Sequence, residues 1–133
     1  MTDDIIYNKI AIIERCLYRI NEEYNNDSAN LKNITKQDSI VLNIQRACEA
    51  SIDLAMHFVA VKRLGIPQNS RDAFDMLAAN SIINKELADR LKAMVGFRNI
   101  AAHNYQDLDL SIIEQIIKNN LKDLLQLNKV ILI

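Results

Sequence analysis

The segment from Arg98 to Tyr105 combines, within eight residues, side chains that could act together on a phosphodiester. Arg98 is a permanent cation whose planar fork matches phosphate oxygens, and His103 can exchange a proton near neutral pH. Asn99, Asn104 and Tyr105 add neutral hydrogen-bonding groups. Phosphodiester cleavage without a metal requires these types of side chain, so this segment is the first candidate for a functional site.

The spacing of the segment sets a geometric condition. Arg98 and His103 are five positions apart, which on an unbroken helix is about 140° around the axis, so their side chains would diverge. A helix that ends near Ala102, or a second copy of the chain, would let them converge. Arg98 and Tyr105 would share a face if the helix continued that far. The same spacing also fits a plain helix end, where Arg98 and His103 complement the negative end of the helix dipole.

Other residues with chemical potential give weaker patterns. His57 follows Asp53 by four positions and Glu49 by eight, which suits either a metal or acid–base cluster or a histidine held by Asp53. Without a third convergent ligand, the second interpretation is favoured. Cys16 and Cys48 form no CxxC pair and fall in apolar stripes, so we expect buried core thiols. No phosphate-binding glycine loop, HExxH or GxSxG motif occurs, and we expect neither metal nor cofactor.

The composition predicts an all-α protein with one domain spanning residues 1–133. Half of the residues are hydrophobic, a quarter are charged, and there are only two glycines and one proline. A net charge of −1 excludes a general attraction to nucleic acid, so RNA binding would need a local basic patch. The acidic start has no signal-peptide pattern and no apolar run reaches about 18 residues, so we expect a cytoplasmic protein without a membrane span.

Apolar periodicity predicts an up-and-down bundle of about five helices. The expected helices run from Asp3 to Tyr24, from Asp38 to Leu64, from a cap at Ser70, from Lys85 to Ala102, and from an N-cap at Asp109, with Ser111 and Glu114 as an alternative capping box. A loop is expected from Tyr24 to Asn30, and Gly65-Ile66-Pro67 should stop the second helix. Ile12, Ile116 and Leu127 widen the apolar stripes and favour a homodimer through helix faces.

The string Arg98-Asn99-x-x-x-His103-x-Tyr105 resembles the signature of HEPN domains, specifically the toxin of the HEPN/MNT toxin–antitoxin pairs. That family has an arginine followed by a polar residue, then four to six positions to a histidine, with a nearby tyrosine in the toxin branch. The resemblance covers nearly the whole chain, including the helix order and the stretch from Gln45 to Asp53 on the long second helix.

The resemblance implies a metal-independent endoribonuclease toxin of a type VII toxin–antitoxin pair, acting as a homodimer with two motifs facing one cleft. His103 would be general base or acid for attack of an RNA 2′-OH, Arg98 would stabilise the phosphoryl charge, and Asn99 would orient Arg98 or the phosphate. The implied partner is an MNT-type nucleotidyltransferase antitoxin, which would use ATP and Mg to transfer AMP to Tyr105. The added charge and bulk would block RNA.

Further RNA contacts are expected from local positive charge. The segment from Lys85 to Arg98 has an excess of two positive charges, and Arg46, Lys92 and Asn104 are the additional candidates for RNA binding. The alternative function is a non-catalytic helical module that binds a nucleotide or docks the transferase, or the antitoxin of the pair.

Overall fold

The computed structural model describes residues 3–103, 105 and 108–132, and within this part of the chain the protein is helical and contains no strand. The helices are α1 (Asp4–Tyr24), α2 (Ile34–Val61), α3 (Ser70–Ala79), α4 (Lys85–His103), α5 (Leu110–Gln115) and α6 (Leu121–Leu132), with a 3₁₀ helix (Ser28–Lys32) after α1. A π turn (Ile116–Asn120) joins α5 to α6 in one rod. The predicted all-α class and number of five helical rods are therefore confirmed. None of the described helices is long and apolar enough to cross a membrane.

The long helix α2 is the centre of the packing, because it contacts α1, α3, α4 and α6. Its apolar face joins one continuous core that includes Ile13, Ile44 and Leu124. Cys16 and Cys48 are buried in this core, as predicted. Burial raises the pKa of the Cys48 thiol to about 12, so this group is not a reactive thiolate at neutral pH.

Two of the three residues expected to widen an outer apolar face belong to the core instead. Ile116 and Leu127 are buried against the rest of the chain, whereas Ile12 is half-buried. Ile116 and Leu127 therefore do not widen an outer apolar face, because the rest of the bundle covers them. The homodimer itself stays a prediction.

Helix α2 begins one turn earlier and ends earlier than its periodicity indicated. Its N-cap is Asn33, whose side-chain oxygen accepts a hydrogen bond from the backbone N–H of Lys36, so the predicted start at Asp38 is wrong. The helix ends at Val61, and Arg63 takes a left-handed conformation with φ of 55°. Termination therefore precedes the Gly65-Ile66-Pro67 sequence.

The start of α3 also differs from its prediction. Asn69, not Ser70, caps α3 by accepting a hydrogen bond from the backbone N–H of Asp72. A polar side chain one position earlier is placed to reach this amide, and Ser70 becomes the first helical residue. Helix α4 continues to His103, one residue beyond its predicted end.

The caps of the last helix and the loop after α1 are linked. Asp109 is the N-cap of α5, as predicted, and accepts from the backbone N–H of Ser111. The alternative capping box is wrong, because the Glu114 carboxylate accepts hydrogen bonds from the hydroxyls of Tyr24, at 2.8 Å, and Ser28. Ser28 begins the 3₁₀ helix, so the predicted loop is partly helical.

Candidate active site

Arg98 lies where α4 packs against α2, and only 18% of its side chain is exposed. Its Nη1 donates to Glu49 Oε2 at 2.5 Å, and its Nε donates to Asn99 Oδ1 at 2.9 Å. A guanidinium has five N–H donors, so these two bonds leave three N–H groups for another acceptor. Arg98 is thus held at a defined position and retains the capacity to bind a phosphate through two donors.

A pocket of about 370 Å³ opens beside Arg98 and Asn99, between α3 and α4. Lys92 and Asp75 also line this pocket, and the Lys92 ammonium donates to Asp75 Oδ1 at 2.7 Å. This hydrogen bond raises the pKa of Lys92. The RNA-binding candidate Lys92 therefore lies next to Arg98, but Asp75 balances its charge.

His103 is exposed and is the last residue of α4. The helix is continuous from Arg98 to His103, so the two side chains point about 140° apart within one chain. The first way for them to converge, a helix ending near Ala102, is therefore not the one that the chain uses. Convergence of Arg98 with the histidine of a second copy of the chain stays a prediction.

Tyr105 follows the end of α4 and contacts the start of α2. Its hydroxyl donates to Asp38 Oδ1 at 2.6 Å. Partial burial, followed by the hydrogen bond to Asp38, raises the pKa of Tyr105 to about 12. Since α4 ends at His103, Tyr105 does not share a continuous helix with Arg98. Asn104, the remaining RNA-binding candidate of this segment, lies outside the described residues.

The two carboxylates that hold Arg98 and Tyr105, here called the acidic anchors, lie on one face of α2. Asp38 and Glu49 are eleven positions apart, which is about 20° beyond three full turns and about 16 Å along the axis. One anchor holds Tyr105 and the other holds Arg98. Helix α2 therefore holds Arg98 and Tyr105 at points about 16 Å apart along its axis, although both side chains come from a different part of the chain.

A groove of about 710 Å³ runs along this face, between α1 and α2. Four of the residues that line it are basic: Lys9, Arg15, Arg19 and Arg46. Three are acidic, namely Asp38, Glu49 and Asp53. The RNA-binding candidate Arg46 is exposed within this groove, between the two anchors in sequence. The lining of the groove thus carries a small excess of positive charge.

His57 has a different partner from the one that its spacing indicated. Its Nε2 lies 2.7 Å from Asp3 Oδ2, at the start of α1, whereas Asp53 binds the Lys9 ammonium at 3.1 Å. The predicted pair of His57 with Asp53 is therefore wrong, because α1 packs along α2 and supplies a closer carboxylate. Among the described residues, no group of three or more His, Cys, Asp or Glu side chains could hold a metal ion.

Sequence reasoning missed Asp38 as an anchor and considered Glu49 only in connection with His57. Both are acidic residues on an exposed face of a helix that is otherwise largely buried. Their spacing of three helical turns is visible in the sequence. Their partners, however, lie 67 and 49 positions away, so only the tertiary structure identifies them.

Comparison with known proteins identifies the family of the chain. A family model described as ribonuclease HepT-like matches residues 6–131. The chain is 50% identical to the mRNA nuclease HepT of Shewanella oneidensis over 129 residues, which is 97% of each protein.

Solved structures match over the same extent. One is the tri-AMPylated Shewanella oneidensis HEPN toxin in complex with MNT antitoxin, at 50% identity and a TM-score of 0.91, covering 98% of both chains. Another is a toxin–antitoxin crystal structure with AMP-PNP, at 48% identity and a TM-score of 0.91, covering 98% of this chain and 99% of the other. The resemblance drawn from the string Arg98 to Tyr105 is thereby confirmed, and the chain belongs to the ribonuclease HepT-like family.

Proposed function

We propose that this protein is a metal-independent endoribonuclease, the toxin of a type VII toxin–antitoxin pair, and that it cleaves RNA at a site built from Arg98, Asn99 and His103. The observation that carries the site assignment is the fixed position of Arg98, whose guanidinium is held by Glu49 and Asn99 and keeps further donors. The ribonuclease class of the family and the mRNA nuclease that is 50% identical support the activity.

In the proposed reaction, the RNA 2′-oxygen attacks the adjacent phosphorus. The bond from phosphorus to the 5′-oxygen breaks, and the products are a 2′,3′-cyclic phosphate and a 5′-hydroxyl. His103 takes the 2′-OH proton or supplies the proton of the leaving oxygen, for which an imidazole is suited near neutral pH. Arg98 stabilises the negative charge on the phosphoryl oxygens through its remaining N–H groups.

The site requires two copies of the chain. Arg98 is turned toward α2 and His103 is exposed on another side of the same helix, so one chain does not direct both side chains at one phosphate. In a homodimer, His103 of one protomer faces Arg98 of the other, and two histidines are available to share the base and acid roles. Mixing inactive Arg98→Ala protein with inactive His103→Gln protein should restore partial cleavage; no recovery in demonstrated mixed dimers would contradict the shared site.

The groove between α1 and α2 is the proposed path of the RNA backbone. Arg15, Arg19 and Arg46 line it, and Glu49 connects it to Arg98. Phosphate contacts made by such residues add affinity that weakens with salt and carries little sequence preference. Reversal of one charge, Arg46→Glu, should therefore weaken binding of RNA of any sequence, whereas Lys92, already paired with Asp75, should matter less.

Inhibition is proposed to act through Tyr105. The partner is an MNT-type nucleotidyltransferase that uses ATP and Mg to attach AMP to the Tyr105 hydroxyl, as the AMPylated relative in complex with MNT antitoxin suggests. Tyr105 is anchored at Asp38, which lines the same groove, so an AMP group there would add negative charge and bulk beside the RNA path. The proposed compartment is the cytoplasm, where mRNA and ATP are available.

The decisive experiment is incubation of the purified, unmodified protein with RNA in EDTA. Native protein should cleave, and His103→Gln should not. His57→Gln is the matched control, because His57 is the other histidine of the chain and contacts Asp3 away from the motif. Cleavage that survives His103→Gln would refute the catalytic assignment. Intact RNA with the native protein would favour the alternative, a non-catalytic module that docks the transferase.

A further inference from the structure

The hydrogen bond between Tyr105 and Asp38 has no part in the proposed cleavage of RNA. It joins residues that are 67 positions apart, so only the tertiary structure brings Tyr105 to Asp38. Tyr105 is 39% exposed and Asp38 is also exposed, which leaves the pair open to the active site of a second protein.

We propose that Asp38 is the general base for the transfer of AMP to Tyr105. It accepts the phenolic proton while the tyrosine oxygen attacks, so the modified protein itself contributes a catalytic group to its own inactivation. This inference rests on the proposed function, because it assumes that a nucleotidyltransferase modifies Tyr105.

The geometry suits this step. The distance of 2.6 Å between Tyr105 Oη and Asp38 Oδ1 is within reach of direct proton transfer. A carboxylate can only accept in this bond, so the phenolic proton points to Asp38 and the oxygen lone pairs are directed away from it. Those lone pairs are the ones that must meet the incoming phosphorus.

The chemistry of the phenol explains why a base is needed. With a pKa of about 12, Tyr105 is a phenolate in only about one molecule in 10⁵ at pH 7. The reaction therefore gains from loss of the proton during the attack rather than before it. Free tyrosine in water would have a larger phenolate fraction but no acceptor at a fixed distance.

The bonds and charges of the step balance with ATP as the only co-substrate. Tyr105 Oη forms a bond to the α-phosphorus, the bond from that phosphorus to the oxygen shared with the β-phosphate breaks, and pyrophosphate leaves with the electron pair. The phenolic proton passes to Asp38 and then to water. Afterwards the ester oxygen has no proton to donate, and the new phosphate charge and Asp38 repel each other.

The test compares Asp38→Asn with the native protein as a substrate of the partner nucleotidyltransferase, with ATP and Mg. The amide of asparagine still accepts a hydrogen bond from Tyr105 but is not a base, so loss of the carboxylate is separated from loss of positioning. Initial rates come from intact-mass spectrometry at several toxin concentrations. We expect kcat for AMP transfer to fall about 10²- to 10⁴-fold with little change in KM, and Asp38→Glu to recover part of the loss.

The matched control is Asp89→Asn, which changes an exposed aspartate of α4 that contacts Lys92 at 3.6 Å. It should be modified at the native rate, and circular dichroism should show native helix content for every variant. A native kcat for Asp38→Asn, or a loss confined to KM, would overturn the role of Asp38. Modification of Tyr105→Phe at the native rate would instead refute the acceptor assignment in the proposed function.

Discussion

Glu49 is expected to act on catalysis only through Arg98, and the substitution Glu49→Gln tests this. Glutamine has the same shape and keeps an oxygen acceptor, but it removes the charge from the 2.5 Å contact with Arg98 Nη1. A hydrogen bond to a charged group contributes about 1.5 to 3 kcal/mol, and an exposed ion pair less than about 1 kcal/mol. Arg98 is 18% exposed and Glu49 is 51% exposed, so we expect about 1 kcal/mol.

If this free energy is lost from the positioning of Arg98 in the transition state, kcat for RNA cleavage should fall about fivefold. Removal of the whole group in Arg98→Ala should cost about 10²- to 10³-fold. The KM should not rise, because the substitution removes a negative charge from the groove that is proposed to hold the RNA backbone. The assay is the initial rate of cleavage of a short RNA in EDTA at several RNA concentrations, with the protein limiting.

The double variant separates an action through Arg98 from a general effect on the fold. In the Arg98→Ala background, Glu49→Gln should cause no further loss, since the group that it positions is absent. The matched control is Glu22→Gln, because Glu22 has the same exposure of 51% and pairs with Arg19 at 3.8 Å on α1. An equal fivefold loss in the Arg98→Ala background, or an unchanged kcat in the single variant, would refute the reasoning.

Three further outcomes are expected. Expression of the chain without its partner should arrest bacterial growth, and His103→Ala or Arg98→Ala should relieve the arrest; full toxicity of both variants in a growth assay would contradict the site. Asn128 is buried, and neither its side-chain nitrogen nor its oxygen has a hydrogen-bond partner in the described chain. Asn128→Leu should therefore raise the free energy of unfolding, measured by urea titration, by about 1 to 3 kcal/mol. A lower urea midpoint for the variant would contradict this expectation. The hydrogen bond from His57 lowers the pKa of Asp3 from its ordinary value of 3.8. The ionised carboxylate of Asp3 therefore stabilises the fold above pH 3.8, and this stabilisation is lost as the pH falls through the lowered pKa. Asp3→Asn, which keeps an N-cap, should therefore be less stable than the native protein at pH 7 and equal to it in strong acid, as measured by thermal unfolding; a difference that persists in acid would exclude the charge as its cause.

Local sequence patterns were sufficient to predict the helices and to identify the motif from Arg98 to Tyr105. The apolar residues of α1 and α2 recur at intervals of three and four, which only a helix places on one face, and the buried positions of Ile13, Ile44, Cys16 and Cys48 follow from that period. The Arg98 to Tyr105 string is contiguous, so its family resemblance needed no tertiary information. Asp109 was identified because an N-cap contacts amides only two or three residues away.

The exact helix ends were harder to predict from the sequence, since several nearby polar residues could cap each helix. The N-cap of α2 is Asn33, five positions before the predicted start at Asp38, and the N-cap of α3 is Asn69 instead of Ser70. Propensity does not resolve shifts of this size. Spacing along one helix also chose the wrong partner for His57, because a neighbour on another helix is as near in space as a residue one turn away.

Only the tertiary structure shows which side chains hold Arg98 and Tyr105. The contacts from Arg98 to Glu49 and from Tyr105 to Asp38 span 49 and 67 positions, and no period along the chain encodes them. The contact from Arg98 to Glu49 arises because the buried faces of α4 and α2 set the distance and rotation between the two helices, whereas Tyr105 lies beyond the end of α4. The sequence thus identified the candidate residues Arg98, His103 and Tyr105, whereas the tertiary structure determined which carboxylates hold Arg98 and Tyr105.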